Sequence, residues 1–127
     1  MDNIAAQKEH DMYVRRLATG LRMNGRVAAD LPGWDAPLAV PGSGSDNGSG
    51  PYVPDIEALL GAMHCLVEVE TAGSLGGVDV DARWQAFSRW ARSPGRMFLV
   101  AVPTALEPGT RQRLARLGIH NAEVITV

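Results

Sequence analysis

The chain has 127 residues, the size of one ordinary domain whose core buries roughly two thirds of the surface the unfolded chain exposes. Hydrophobic residues make up 46% and charged residues 20%, which excludes the low-hydrophobicity, high-charge composition of chains that stay disordered. The formal net charge is −2 and the longest apolar run, Met97 to Val102, has six residues, far below the ~20 of a membrane span.

From about Ile4 to Asn24, Met12, Val14, Leu17, Ala18 and Leu21 recur at helical spacing, and Gly25 is a natural stop. Arg26 to Leu31 is a short strand candidate ended by Pro32 and Gly33. Residues 41–51 are rich in Gly, Ser and Pro, a composition that suits a flexible loop and neither a helix nor a central strand. Tyr52 to Leu60 reads as a second strand. His64 to Thr71 reads as a third, with Cys65, Val67, Val69 and Thr71 on one face and Leu66, Glu68 and Glu70 on the other. Gly61 leaves room for a hairpin between them.

Val80 to Arg92 is helical, with Trp84, Phe87, Ser88 and Ala91 on one face; Trp84 and Phe87 are expected in the core. Met97 to Val102 suits a strand buried on both faces, Thr110 to Leu117 a helix closed by Gly118, and Ala122 to Val127 a last strand. The order αβββαβ, followed by a C-terminal αβ, predicts a single three-layer α/β domain over residues 1–127. Its central mixed sheet is antiparallel in its first half and joined by helical crossovers in its second.

The charges are segregated. Residues 1–26 carry five basic and three acidic side chains, residues 27–81 nine acids and no Lys or Arg, and residues 82–127 seven arginines against Glu107 and Glu123. An acidic centre with basic flanks suits a divalent-cation site within a surface that meets a polyanion. Asp35, Asp46 and Asp79 read instead as solubilising loop residues.

Asp55 and Glu57 lie two apart on one strand and Glu68 and Glu70 two apart on the next, so each pair shares a face. If the hairpin brings the pairs together, several carboxylates come close enough to repel and to raise one another's pKa values. A hard divalent cation relieves that cost; the alternative is a strand face whose acids point at water. Other chemistries find less support. The glycine-rich segment lacks the Gly-Lys-Ser/Thr of a phosphate-binding loop, and His10, His64 and His120 have no zinc-type partner spacing. His64 and Cys65 are adjacent on a strand and point to opposite faces. Cys65 is the single cysteine, so it closes no intramolecular disulfide.

Val40-Pro-Gly-Ser-Gly-Ser, then Pro54-Asp55-Ile56-Glu57-Ala58, then Leu66-Val67-Glu68-Val69-Glu70-Thr71 resembles the PD-(D/E)XK nuclease superfamily, closest to the Holliday junction resolvases and the restriction endonuclease-like fold. The likeness runs from about Glu9 to Val102. It implies a magnesium- or manganese-dependent endonuclease acting on DNA and able to act as a homodimer; the short apolar runs and the N-terminus, with Asp2, Glu9 and Asp11 and no signal-type apolar stretch, lead to the separate expectation of a cytoplasmic protein without a membrane partner. By the same resemblance Asp55 and Glu68 hold the metal with the backbone carbonyl of Val69, Glu9 is the acid of the first helix, and Ser43 or Ser45 is the loop serine.

The chain departs from the pattern at Glu70, where the family usually has a lysine that orients the attacking water. Glutamate at that place occurs in some restriction enzymes of the fold as a base or extra ligand, and Lys8 or Gln85 are the candidates for the missing donor. Arg15, Arg22, Arg83 and Arg89 are candidates for holding substrate phosphates. The rival readings are a catalytically inactive protein of the same fold, working as a nucleic-acid-binding or protein-interaction module, and a small α/β domain whose acids are surface residues.

Overall fold

The computed structural model describes residues 3–42 and 50–127; Ser43 and Ser45 lie outside them. Its elements are α1 (Asn3–Arg22), β1 (Arg26–Ala29), β2 (Ile56–Leu60), β3 (Met63–Val69), α2 (Val80–Trp90), β4 (Arg96–Val102), α3 (Glu107–Arg116, after a 3-10 turn at Thr104–Leu106) and β5 (Ala122–Thr126). The five strands form one open sheet in the order β1-β2-β3-β4-β5. The first two pairings are antiparallel and the last two parallel, so this is an α/β domain with a mixed sheet and three helices. No helix among the described residues is long and apolar enough to cross a membrane.

The sheet is covered on both faces. On one, Val14 and Ala18 of α1 pack with Ile56, Val67, Val69 and Ala101; on the other, Trp84 and Phe87 of α2 and Leu114 of α3 pack with Leu66, Phe98, Val100 and Val102. This layering follows from the periodicities. Val14 and Ala18 are four apart, so they share the sheet-facing side of α1. In β3, which lies between β2 and β4, both alternating sets are buried. Their apolar members are therefore held by two cores at once.

Some boundaries differ from the sequence reading. β2 begins at Ile56 and not Tyr52: Pro54 has no amide hydrogen to give a ladder, while Tyr52 forms an isolated antiparallel bridge with Val40. α3 begins at Glu107 and not Thr110, with proline in its first turn, a position where the missing N–H costs nothing because that group has no helical partner in any case. The β2–β3 connection is two residues long, Gly61 and Ala62, and Gly61 has φ +60°, the left-handed conformation such a tight hairpin demands at its first position. Gly25 is fixed by a close approach: a Cβ there would fall on the backbone carbonyl of Leu59.

Candidate functional site

Continuing the β2–β3 register by one residue pair places Asp55 opposite Glu68, at the point where the ladder ends. The backbone N–H of Asp55 donates to Oε1 of Glu68 at 3.1 Å, and the N–H of Val69 donates to Oδ2 of Asp55 at 2.8 Å. Each acid is thus tied to the other's strand. Glu68 is 2% exposed and Glu70 4%, so both carboxyls are buried at the C-terminal end of β3.

Four further side chains complete the cluster. Arg83 of α2 donates through Nε to Oε2 of Glu68 at 3.0 Å and through Nη2 to Oε1 at 3.1 Å, and Nη2 also reaches the carbonyl of Val53 at 2.7 Å. Glu70 accepts from the Ser74 hydroxyl at 2.6 Å and from the Trp84 indole N–H at 3.1 Å. His10 of α1 places Nε2 3.2 Å from Oδ2 of Asp55, and its Nδ1 lies 3.3 Å from Oδ1 of Asp11. A cavity of about 270 Å³, lined by Asn3, Gln7, His10, Gly73 and Ser74, opens beside it.

The electrostatics follow from burial. Desolvation, then the nearby Asp55 charge, push Glu68 well above the usual carboxylate range, and Arg83 opposes them. Burial likewise raises Glu70, against the hydrogen bonds from Ser74 and Trp84. Burial works against the charge of His10, but the hydrogen bond and charge of Asp55, reinforced by Asp11, outweigh it and lift the imidazole to about 9. Arg83, whose charge burial also disfavours, is raised by Glu68.

One consequence is measurable. A histidine that titrates near 9 when folded and near 6.5 otherwise binds more protons in the native state between those values, so stability falls as pH rises through that window. Urea unfolding between pH 6 and 9 without divalent cations is expected to show this decline, and His10→Gln is expected to flatten it. A slope unchanged by that substitution would contradict the His10–Asp55 contact.

The sequence-predicted residues divide. Asp55, Glu68 and Glu70 come together. Val69 lies between the two glutamates and is buried in the α1-side core. Glu9 is exposed on α1, and its neighbour His10 reaches the cluster. Glu57 turns to His64, with Oε2 2.7 Å from Nε2, and accepts the N–H of Leu38; it stands apart from the other acids. Arg83 is held by Glu68 in this arrangement. Arg15 is exposed on α1, where it lines a groove of about 650 Å³ with Lys8 and Arg16. Arg22 stacks on Trp34, its guanidinium carbon 3.8 Å from the ring centroid. Arg89 is part-buried on α2 and Gln85 is exposed there.

His10 had a sequence signal. It precedes Val14 and Ala18 by four and eight residues, and so belongs to the sheet-facing stripe of the first helix.

The donor set is three carboxyl groups, the oxygen ligands a hard divalent cation takes. As the side chains stand, no three His, Cys, Asp or Glu among the described residues are arranged to hold one: Glu68 faces Arg83, Glu70 faces Trp84 and Ser74, and Asp55 faces Val69 and His10. The donor chemistry therefore fits a cation, and its gathering requires Arg83 to release Glu68. Comparison of the chain with protein-family models, curated proteins and solved structures finds no match.

Proposed function

We propose that the chain is a metal-dependent nuclease-like protein of the PD-(D/E)XK kind, hydrolysing phosphodiester bonds of DNA. The observation that carries this reading is the meeting of the part-buried Asp55 with the buried Glu68 where β2 and β3 pair, with Glu70 two residues on. The element order and the mixed sheet agree with a restriction endonuclease-like fold. Asp55 and Glu68, with the carbonyl of Val69, are the residues to hold Mg²⁺ or Mn²⁺. When bound, such an ion stabilises the charge that builds on phosphorus oxygens and on the leaving oxygen.

The remaining steps belong to the chain. Glu70, whose charged form is disfavoured by burial, is poised to take a proton from the attacking water. His10 keeps the Asp55 carboxylate oriented. Lys8, Arg15 and Arg16 line the α1 groove, against the single carboxylate of Asp11, and suit backbone phosphates. A homodimer would present two such sites to two strands.

The Arg83–Glu68 pair and the glutamate in the place of lysine favour a second reading, a catalytically inactive protein of this fold that binds nucleic acid or a protein. Nicking of supercoiled plasmid in Mn²⁺ separates the two. The first reading expects cleavage that Asp55→Ala and Glu68→Ala abolish. Duplex binding without cleavage supports the second, and neither binding nor cleavage rejects the first and leaves only the protein-binding form of the second.

A further inference from the structure

The two oxygens of the Glu70 carboxyl are answered from two different stretches of chain. Oε1 accepts from the Ser74 hydroxyl and Oε2 from the Trp84 indole. Ser74 lies in the turn between β3 and α2, and Trp84 lies on α2. With one donor at each oxygen, the direction of the carboxyl is set by where those donors stand.

The turn has little of its own to hold it. Gly73, Gly76 and Gly77 are exposed, as are Ala72, Val78 and Asp79. Within it, the amide of Thr71 donates to Oγ of Ser74 at 2.8 Å, and the amides of Leu75 and Gly77 donate to the carbonyls of Thr71 and Ser74. Among the described residues, one side chain from beyond residues 70–79 hydrogen-bonds to this turn. Nη1 of Arg113, on α3, donates to the Leu75 carbonyl at 2.7 Å, one residue from Ser74.

The same guanidinium serves α2. Its Nε donates to Oδ1 of Asp81 at 2.7 Å, and its central carbon lies over the Trp84 ring, 5.2 Å from the centroid. A cation over an indole face is attracted by the ring's quadrupole. Arg113 therefore grips the backbone beside one donor of Glu70 and the ring that carries the other. A planar fork can bond a carbonyl and a carboxylate at once while lying over a ring, which a compact ammonium cannot do.

We propose that Arg113 is a positioning residue, which sets the direction of the Glu70 carboxyl by holding both of its donors in place. α3, which supplies no acid to the cluster, thereby acts on it at one remove. The bearing of Arg113 on the reaction rests on the reading of Glu70 as the group that takes a proton from the attacking water.

The test has two arms, both on the full chain. The first uses NMR of the nitrogen-labelled protein and needs no substrate. Glu70→Gln is expected to shift the Trp84 indole N–H signal, assigned by its loss in Trp84→Phe, and the Thr71 amide signal. In Arg113→Met, and in Arg113→Lys, which keeps a positive charge for Asp81, the shift caused by Glu70→Gln should shrink at both signals. Shifts of unchanged size overturn the proposal, and Arg113→Lys decides if Arg113→Met does not fold. The second arm is plasmid nicking in Mn²⁺. Arg113→Met is expected to lower kcat on the order of tenfold with KM unchanged, as misdirection of a reacting group does, and to lower it no further in a Glu70→Gln background. An undiminished kcat, or the same fall with and without Glu70, also overturns the proposal. A wild type that does not nick rejects the nuclease reading and leaves the first arm to decide.

Discussion

Replacing Arg83 by methionine is expected to destabilise the protein by about 3 kcal/mol, the lower end of the cost of leaving one partner of a buried ion pair uncompensated. The lower end applies because the Arg83 side chain is 21% exposed while that of Glu68 is 3% exposed, so water can relieve part of the loss. The methionine fills much of the arginine stem's volume, and the effect therefore reports the charge. Two further variants make the assignment strict. Glu68→Gln in the Arg83→Met background should recover much of the stability, because a neutral amide is far cheaper to bury than an unpaired carboxylate. Mn²⁺ should stabilise Arg83→Met more than the wild type, since the guanidinium no longer competes for Glu68, and Asp55→Ala should remove that gain. Urea unfolding with and without Mn²⁺ measures both.

Trp84→Ala is expected to cost about 4 kcal/mol, as large truncations in a close-packed core do. Trp84 is fully buried, packs in the core shared by α2, α3 and the sheet, and has Arg113 stacked 5.2 Å from its ring. It also donates to Glu70. Trp84→Phe separates these roles, since it keeps most of the apolar volume and removes the donor. Its cost, about 1–2 kcal/mol for an unsatisfied buried carboxyl, should grow with pH: the lost hydrogen bond favours the ionised form of Glu70, so the penalty is largest where that form is populated. A Trp84→Phe penalty independent of pH would mean that the indole acts through packing alone.

The acids were legible in the sequence because a strand's period of two is strict. Asp55, Glu68 and Glu70 needed only the hairpin at Gly61 to meet, and the register Ile56 to Val67 provides it. The same argument misplaced Glu57. It lies inside the ladder, opposite Leu66 and two residue pairs from His64, hence on the same face, and the histidine draws its carboxylate aside. The periodicity said nothing of Arg83, because a helical arginine reads as solvent-facing until the packing angle of its helix is known. For His10 the place on the sheet-facing stripe was legible but the partner was not, since a polar residue at the end of an apolar stripe has no evident partner until another element arrives. The helix start at Glu107 was obscured by Pro108 and Gly109, which read as breakers although the first turn accepts proline.

Anomalous diffraction from crystals of the full chain grown with Mn²⁺ tests the central claim most directly. A manganese peak bonded to carboxylate oxygens of Asp55 and Glu68, with the Arg83 guanidinium displaced from Glu68, is the predicted result. Arg83 still paired with Glu68 at saturating Mn²⁺, and no peak beside Asp55, would contradict it.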